Sequence, residues 1–485
     1  MHNNLTFLFA FVLVLLLGMC SALNVKFKIT TAVSSLNMPR AVHVLANGDM
    51  FIAEHNNENN YYKNRILTVF NGTLSVFMAP LGNQPFIAVD EAQEKVYLSE
   101  YFSMKIRALN YGKTTITTLP NVMYFGKMLS IDKFHNWLLF MDVGNNCVGY
   151  YSLANYNSFN WFTNCGLSPT DGGIVASPLT GDIYYIYYGK IMRLVLPETY
   201  TIFSASTPDW NPYPEYPPFN DANFTATPWN NPMGLYYTAH DELFVADPGL
   251  KQVKKIQNRQ VEIIAGSTNS SSGCPDNSDP VNCYLDSPFN VFVRENKNEI
   301  YIADDVAGLI KKVYPYCDGV GYVLSGDGRT CLPECYGKSS ESKYPFLACH
   351  GNGTCVDVNT CMCNENYYGP ECTVTTCFGK FSNSSTACNG NGICERYNYC
   401  KCNSNYGGEN CEIPKCNGTL ANDETVCSGN GSCIALNTCQ CFNTSRYVGE
   451  KCEIPQIKQA VFVQEEVIVY LMIHVSVEIN LNGMD

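Results

Sequence analysis

Charge is scarce in this chain. Asp, Glu, Lys and Arg supply 15% of its 485 residues, with 31 basic against 44 acidic side chains and a formal net charge of −13. No run of Lys and Arg forms a patch, and an acidic chain without one has no grip on a phosphate backbone, which excludes nucleic acid as a partner. Long apolar runs are also missing. The stretches Phe7 to Leu17 and Val467 to Val477 hold eleven residues each, well short of the ~20 that a spanning helix needs. No stretch between residues 23 and 316 keeps a helical period. Neither HExxH nor Gly-x-Ser-x-Gly occurs, so two common hydrolase chemistries have no signature here.

Cysteine, by contrast, is plentiful and very unevenly placed. Four cysteines lie between residues 23 and 316 and twenty between 317 and 452, so the clearest boundary falls near Tyr316. Three copies of one cassette follow. They are Cys335, Cys349, Cys355, Cys361, Cys363, Cys372, then Cys377, Cys388, Cys394, Cys400, Cys402, Cys411, then Cys416, Cys427, Cys433, Cys439, Cys441, Cys452. The Gly-rich pieces HGNGTC, NGNGIC and SGNGSC repeat with them. A period of about forty residues marks tandem modules. Units this small bury too little apolar surface to fold unaided, and each cross-link contributes roughly 2–5 kcal/mol by restricting the unfolded chain. Six cysteines allow fifteen pairings, and spacing does not choose among them. The sequences CMC, CKC and CQC invite zinc, but no second close pair completes a ligand set of four.

These cassettes resemble EGF-like modules, most closely the Gly-rich type of teneurins and tenascins. The resemblance implies pairing of first with third, second with fourth and fifth with sixth cysteine. The implied bridges are Cys335–Cys355, Cys349–Cys361, Cys363–Cys372, Cys377–Cys394, Cys388–Cys400, Cys402–Cys411, Cys416–Cys433, Cys427–Cys439 and Cys441–Cys452. Calcium-binding members place Asp-x-Asp/Asn-Glu before the first cysteine, whereas this chain has LPE, VTT and IPK there, so no calcium is implied. The cassettes are separated by four residues, TVTT and EIPK, which predicts a semi-rigid spacer.

At the front, the apolar run and the small residues Ser21-Ala22 read as a secretory signal peptide over residues 1–22. Eight N-x-Ser/Thr acceptors follow, at Asn71, Asn223, Asn269, Asn352, Asn383, Asn417, Asn430 and Asn443. With 24 mature cysteines they agree on an oxidising, exported route.

Residues 23–316 are rich in Tyr, Phe, Val and Ile, with turn residues at regular intervals. A unit recurs from Pro39, Pro85, Gly126, Gly172, Pro232 and Pro288: strand, polar turn, second strand, then a basic-apolar run. The last copies, FVADPGLKQVKKI and IYIADDVAGLIKKV, resemble the NHL-repeat propeller. The fold class expected is therefore all-β, a six-bladed NHL-type β-propeller followed by disulfide-rich EGF-like modules. Strand 24–33 has no partner in the first unit and is expected to complete the sixth blade. Cys147–Cys165 and Cys274–Cys283 are the local pairings of the propeller cysteines. Cys317–Cys331 closes a connector at 317–334 that resembles the EGF hairpin following LDL-receptor propellers. The remaining divisions are EGF-like modules at 335–372, 373–411 and 412–452 and an atypical tail at 453–485. Read two bases later, IVYLMIHVSV yields CVSDDTCKC with the cassette spacing, so the tail is expected to be a gene-model artefact.

Several residues invite a functional reading. Glu54, Glu100, Asp142, Asp247 and Asp304 follow the second strand of successive units; their repetition favours pairing with nearby Arg65, Lys105 and Lys254 over a ring of ligands. The strand IYYIYYG reads as core, and Asp304-Asp305 as a turn in preference to a catalytic pair. The insertion 204–231 is long and rich in aromatics, which makes Trp210, Tyr213, Tyr216, Phe219 and Trp229 candidate ligand contacts. NHL-like propellers include the peptidylglycine amidating lyase, a metal-dependent enzyme with histidine ligands. Here His135 and His240 are expected in turns between the first two strands of their units, with His43 inside a strand and His55 after one; those are different levels, so no catalytic, cofactor or metal site is assigned. The function expected is extracellular binding or adhesion, the propeller acting as head on an EGF-like rod, toward a protein or glycan. The protein is secreted, or at the cell surface if a longer chain carries a membrane anchor. The alternatives are a secreted lyase of the amidating kind and a structural coat component.

Overall fold

The computed structural model describes residues 25–456 apart from 57–63, 83, 101–104, 114, 121–125, 143, 145–146, 157–158, 163–171, 188, 197–198, 205–228, 259, 270–272 and 340–344. Residues 1–22, expected from the sequence to be a signal peptide, and the tail from 457 lie outside the described residues. The protein is all-β, and six antiparallel four-stranded sheets make up its first part. Blades 1 to 5 are continuous in sequence, at 39–81, 85–118, 126–161, 174–204 and 234–265. Blade 6 takes its three inner strands from 288–316 and its outer strand, Lys26–Val33, from the other end of the propeller sequence.

The second strand of each blade explains the stacking. Met50–Glu54, Lys95–Glu100, Trp137–Asp142, Ile183–Tyr187, Leu243–Asp247 and Glu299–Asp304 are buried along nearly their whole length. A strand covered on both faces loses the alternation of a half-buried sheet and reads as a continuous apolar run. A separate apolar cluster fills each gap between neighbouring blades. Phe51 and Val96 mark the first, Tyr97 and Phe140 the second, Leu139 and Tyr185 the third. Tyr184 and Val245, then Val253 and Val293, mark the next two. In the sixth gap Ile52 of blade 1 meets Ala303 of blade 6, so the ring is closed.

Closure depends on the N-terminal strand, which pairs antiparallel with Leu309–Tyr316 from Lys26↔Tyr316 to Val33↔Ile310. Ile29 is fully buried. Lys311 Nζ donates to Thr31 Oγ1 at 2.9 Å and to the Cys274 carbonyl at 2.7 Å. The Cys274–Cys283 bridge lies buried in the same cluster. Glycine is required where inner strands converge: a Cβ on Gly234 would stand 2.6 Å from Asn290 Cα.

Contacts divide the chain into two compact units, one running to Ala348 with Cys355–Asn359, the other holding Cys349–Thr354 and the residues from Thr360. The units part inside the first cassette. In the first unit, connector Arg329 Nη2 donates to Glu242 Oε2 of blade 5 at 3.0 Å, and Lys297 Nζ of blade 6 donates to the Gly326 carbonyl at 3.2 Å. The bridge Cys317–Cys331 is present. Each cassette joins first to third, second to fourth and fifth to sixth cysteine: Cys335–Cys355, Cys349–Cys361, Cys363–Cys372 in the first, Cys377–Cys394, Cys388–Cys400, Cys402–Cys411 in the second, and Cys416–Cys433, Cys427–Cys439, Cys441–Cys452 in the third. Within the second unit the linkers are themselves strands. Val374–Cys377 pairs with Tyr367–Tyr368 of the preceding module and with Lys380–Phe381 of its own. Ile413–Cys416 does the same with Tyr406–Gly407 and Thr419–Leu420.

Candidate functional site

The inner strands of all six blades finish around one cleft of about 980 Å³, its solvent-open part included. Much of its lining is aliphatic, including Val42, Ala88, Ile131, Ala176 and Val291. Its ionisable groups are His43, Glu91, Lys133, Tyr236, Tyr237 and Glu295. The turns carrying the carboxylates are tied from blade to blade. Glu91 of blade 2 accepts the Ala46 N–H of blade 1 at 3.0 Å, and Glu295 of blade 6 accepts the Ala239 N–H of blade 5 at 2.9 Å. Arg294 Nη2 closes the seam by donating to the Ala46 carbonyl at 2.6 Å. Both carboxylates are therefore held in place before any ligand arrives, which reduces the ordering cost of binding.

Between the carboxylates lie three rings. His43 is 4.4 Å from Phe292 and Tyr236 is 4.8 Å from Phe292, centroid to centroid. His43 Nε2 stands 3.6 Å from Glu91 Oε1, and the Tyr236 hydroxyl donates to Glu295 Oε1 at 3.3 Å. Burial pushes His43 below its ordinary value, so its ring is neutral at pH 7. The neighbouring His43 ring and the hydrogen bond from the Ala46 N–H hold Glu91 below the usual carboxylate range. Burial keeps the Tyr236 hydroxyl protonated. Two carboxylates and exposed Lys133 leave the cleft with a net charge of about −1 at pH 7.

The four histidines do not form one ligand set. His43 shares its end of the channel with His240, whose Nδ1 lies 3.8 Å from Glu295 Oε2. That corrects the expectation that their levels differ. Each faces a different carboxylate, however. His135 is occupied on the rim, with Nδ1 2.7 Å from Asp132 Oδ2 and its ring stacked on Trp137 at 4.3 Å. His55 is buried at the opposite end, its N–H bonded to the Met38 carbonyl before the inner strand of blade 1 begins. Among the described residues, the His, Cys, Asp or Glu trios close enough to share an ion are half-cystines of the three cassettes, and their sulfurs are already bridged.

The repeated acidic residues serve the blades. Glu54 accepts the Asn37 N–H at 2.8 Å, Glu100 the Gly82 N–H at 3.1 Å, and Asp247 the Asn230 N–H at 3.0 Å. Asp304 accepts the Ser287 N–H at 2.6 Å, while Asp142 bonds its own turn at Gly144 N–H, 3.0 Å. Glu54, Glu100, Asp247 and Asp304 each clamp the segment leading into their own blade. Glu54 also pairs with Arg65, but Glu100 pairs with Arg107 where Lys105 was expected. Buried Lys254 stands over the Trp229 ring at 4.7 Å. Trp229 is itself buried between blades 4 and 5, which removes it from the candidate ligand contacts. Trp210, Tyr213, Tyr216 and Phe219 lie outside the described residues. The strand Ile183–Tyr187 is core. Asp304 ends a strand and Asp305 begins a turn, 3.5 Å from Arg40 Nη2. Cys147 is disulfide-bonded, while Cys165 lies outside the described residues.

The glycosylation acceptors differ in freedom. Asn71, Asn269, Asn383, Asn417 and Asn443 are exposed, and Asn223 lies outside the described residues. The half-buried Asn352 and Asn430 use their side-chain N–H groups on the Cys372 carbonyl (3.2 Å) and the Ser428 carbonyl (3.0 Å).

Glu91, Lys133 and Glu295 escaped sequence reasoning because polar residues after a strand look like ordinary turn chemistry. Superposing the six units would have placed all three at one position, the first residue beyond the inner strand.

The EGF-like domain family matches residues 344–372, and no curated protein matches the chain. Similar solved structures include a Bacteroides thetaiotaomicron protein of unknown function (11% identity, 60% of this chain and 76% of that one, TM-score 0.49). Others are virginiamycin B lyase from Staphylococcus aureus (14%, 60% and 99%, TM-score 0.39) and a chain of a nidogen/laminin complex (14%, 54% and 91%, TM-score 0.37). No helix among the described residues is long and apolar enough to cross a membrane.

Proposed function

We propose that this is a secreted binding protein whose propeller takes a basic side chain of an extracellular protein into the channel mouth, with the cysteine-rich modules as spacer. The opposed, pre-positioned Glu91 and Glu295 across the rings of His43, Phe292 and Tyr236 carry this reading. An ammonium or guanidinium gains both from carboxylates and from aromatic faces. The net charge of −13 favours encounter with basic partners. The eleven described bridges fit an oxidising compartment.

The test compares immobilised lysine-rich and glutamate-rich peptides as bait for the full chain. Preferential capture by the lysine-rich peptide, weakened at least about tenfold in Glu91→Gln/Glu295→Gln and by raised salt, is expected. Equal capture by both peptides, or no loss in the double variant, refutes it. Because His43 and His240 share this end of the channel, a secreted metal-dependent lyase is the second reading. Metal analysis with a peptide-cleavage assay decides it: a metal-free, inactive chain dismisses the lyase.

A further inference from the structure

A sheet edge that offers unpaired N–H and C=O groups recruits other strands unless it is short, charged, bulged, interrupted by proline or covered. The propeller's outer strands meet this requirement in different ways. Ile116–Thr118 of blade 2 and Phe159–Trp161 of blade 3 have three residues each. Gln260–Ala265 of blade 5 carries Glu262, and Lys26–Val33 of blade 6 carries Lys26 and Lys28.

Blade 1 is the exception among outer strands whose side chains are described. Thr73–Leu81 runs for nine residues without a charge and is the terminal strand of its sheet. Its second half is guarded: the register shifts opposite Leu67 and Ile66, and Pro80 has no N–H to offer. Its first half is not. Thr73 to Val76 pair regularly with Phe70 to Leu67 on one side only, and all four side chains are exposed, Leu74 at 45% and Val76 at 49%.

The turn that opens this half is Asn71-Gly72, and Asn71-Gly72-Thr73 is an acceptor sequence with Asn71 exposed. We propose that Asn71 is glycosylated and that its glycan covers the Thr73–Val76 edge. The polar oligosaccharide would occupy the space, about 4.8 Å from the strand, that a pairing chain needs. Without the glycan, the occupant is the same edge of a second copy. The sequence Thr-Leu-Ser-Val has no charge to oppose its own antiparallel pairing.

The test uses the full chain secreted by a glycosylating eukaryotic host, with glycopeptide mass spectrometry and light scattering. Asn71 should be occupied in the wild type, which should be monomeric. Asn71→Gln and Thr73→Ala remove the acceptor through different atoms and should raise the mass-average molar mass about twofold or more at equal concentration. Thr73→Ser keeps the acceptor and should stay monomeric. Val76→Lys, added to Asn71→Gln, puts a charge on the bare edge and should restore the monomer and any lost secretion. An unoccupied Asn71, variants as monomeric as the wild type, or no rescue by Val76→Lys overturns the proposal.

Discussion

At the scale of single residues, the most tense spot lies opposite the candidate mouth, where Arg40 of blade 1 meets Asp305 of blade 6. Arg40 Nε, His55 Nδ1 and Asp305 Oδ1 are buried there without a hydrogen-bond partner among the described residues. Burial pushes Asp305 up to about 6 and, with the Arg40 charge, His55 down to about 4. The two act in opposite directions. Asp305, raised above its unfolded value, contributes stability that is complete below about pH 4 and lost as pH rises through 6, about 3 kcal/mol in all. His55, depressed, contributes stability that is present above about pH 6.5 and lost as pH falls through 4. The stability of Asp305→Asn relative to wild type should therefore climb between pH 4 and pH 6.5. Denaturant midpoints over that range check it; a flat difference contradicts the assignment.

At the scale of elements, the outer strand of blade 6 decides whether the ring holds. Its pairing with Leu309–Tyr316 joins residues nearly three hundred positions apart, and its one fully buried side chain is Ile29. Ile29→Ala should cost about 3 kcal/mol, as transfer and cavity effects add in a site that cannot collapse. Leu74→Ala, on an exposed strand, should cost little. Urea unfolding of both variants checks the contrast, and equal losses would show that the latch is not limiting.

At the scale of the whole molecule, the sheets shared by consecutive modules matter most. Because Ile413–Cys416 hydrogen-bonds to modules on both sides, bending there would break backbone pairs as well as side-chain contacts. Two glycines inserted between Ile413 and Pro414 should broaden the distance distribution between labels on the second and third modules, measured by pulsed electron resonance. An unchanged distribution would mean that the shared sheet does not set the stiffness.

Local chemistry was legible in the chain. The cassette spacing, the near-continuous apolar second strands and the unpartnered N-terminal strand each carry their cause within a few residues of sequence. That is why module type, blade repeats and the all-β class could be read from them. The site was far less legible. Glu91, Glu295, His43 and Tyr236 come from four different blades, and nothing in their neighbourhoods along the chain says that they face one cleft. Trp229 looked like a loop aromatic until Lys254 and the cluster between blades 4 and 5 covered it. Stacking of the blades decides such matters, because burial and charge environment belong to the gaps between blades, and each gap joins side chains that are far apart along the chain.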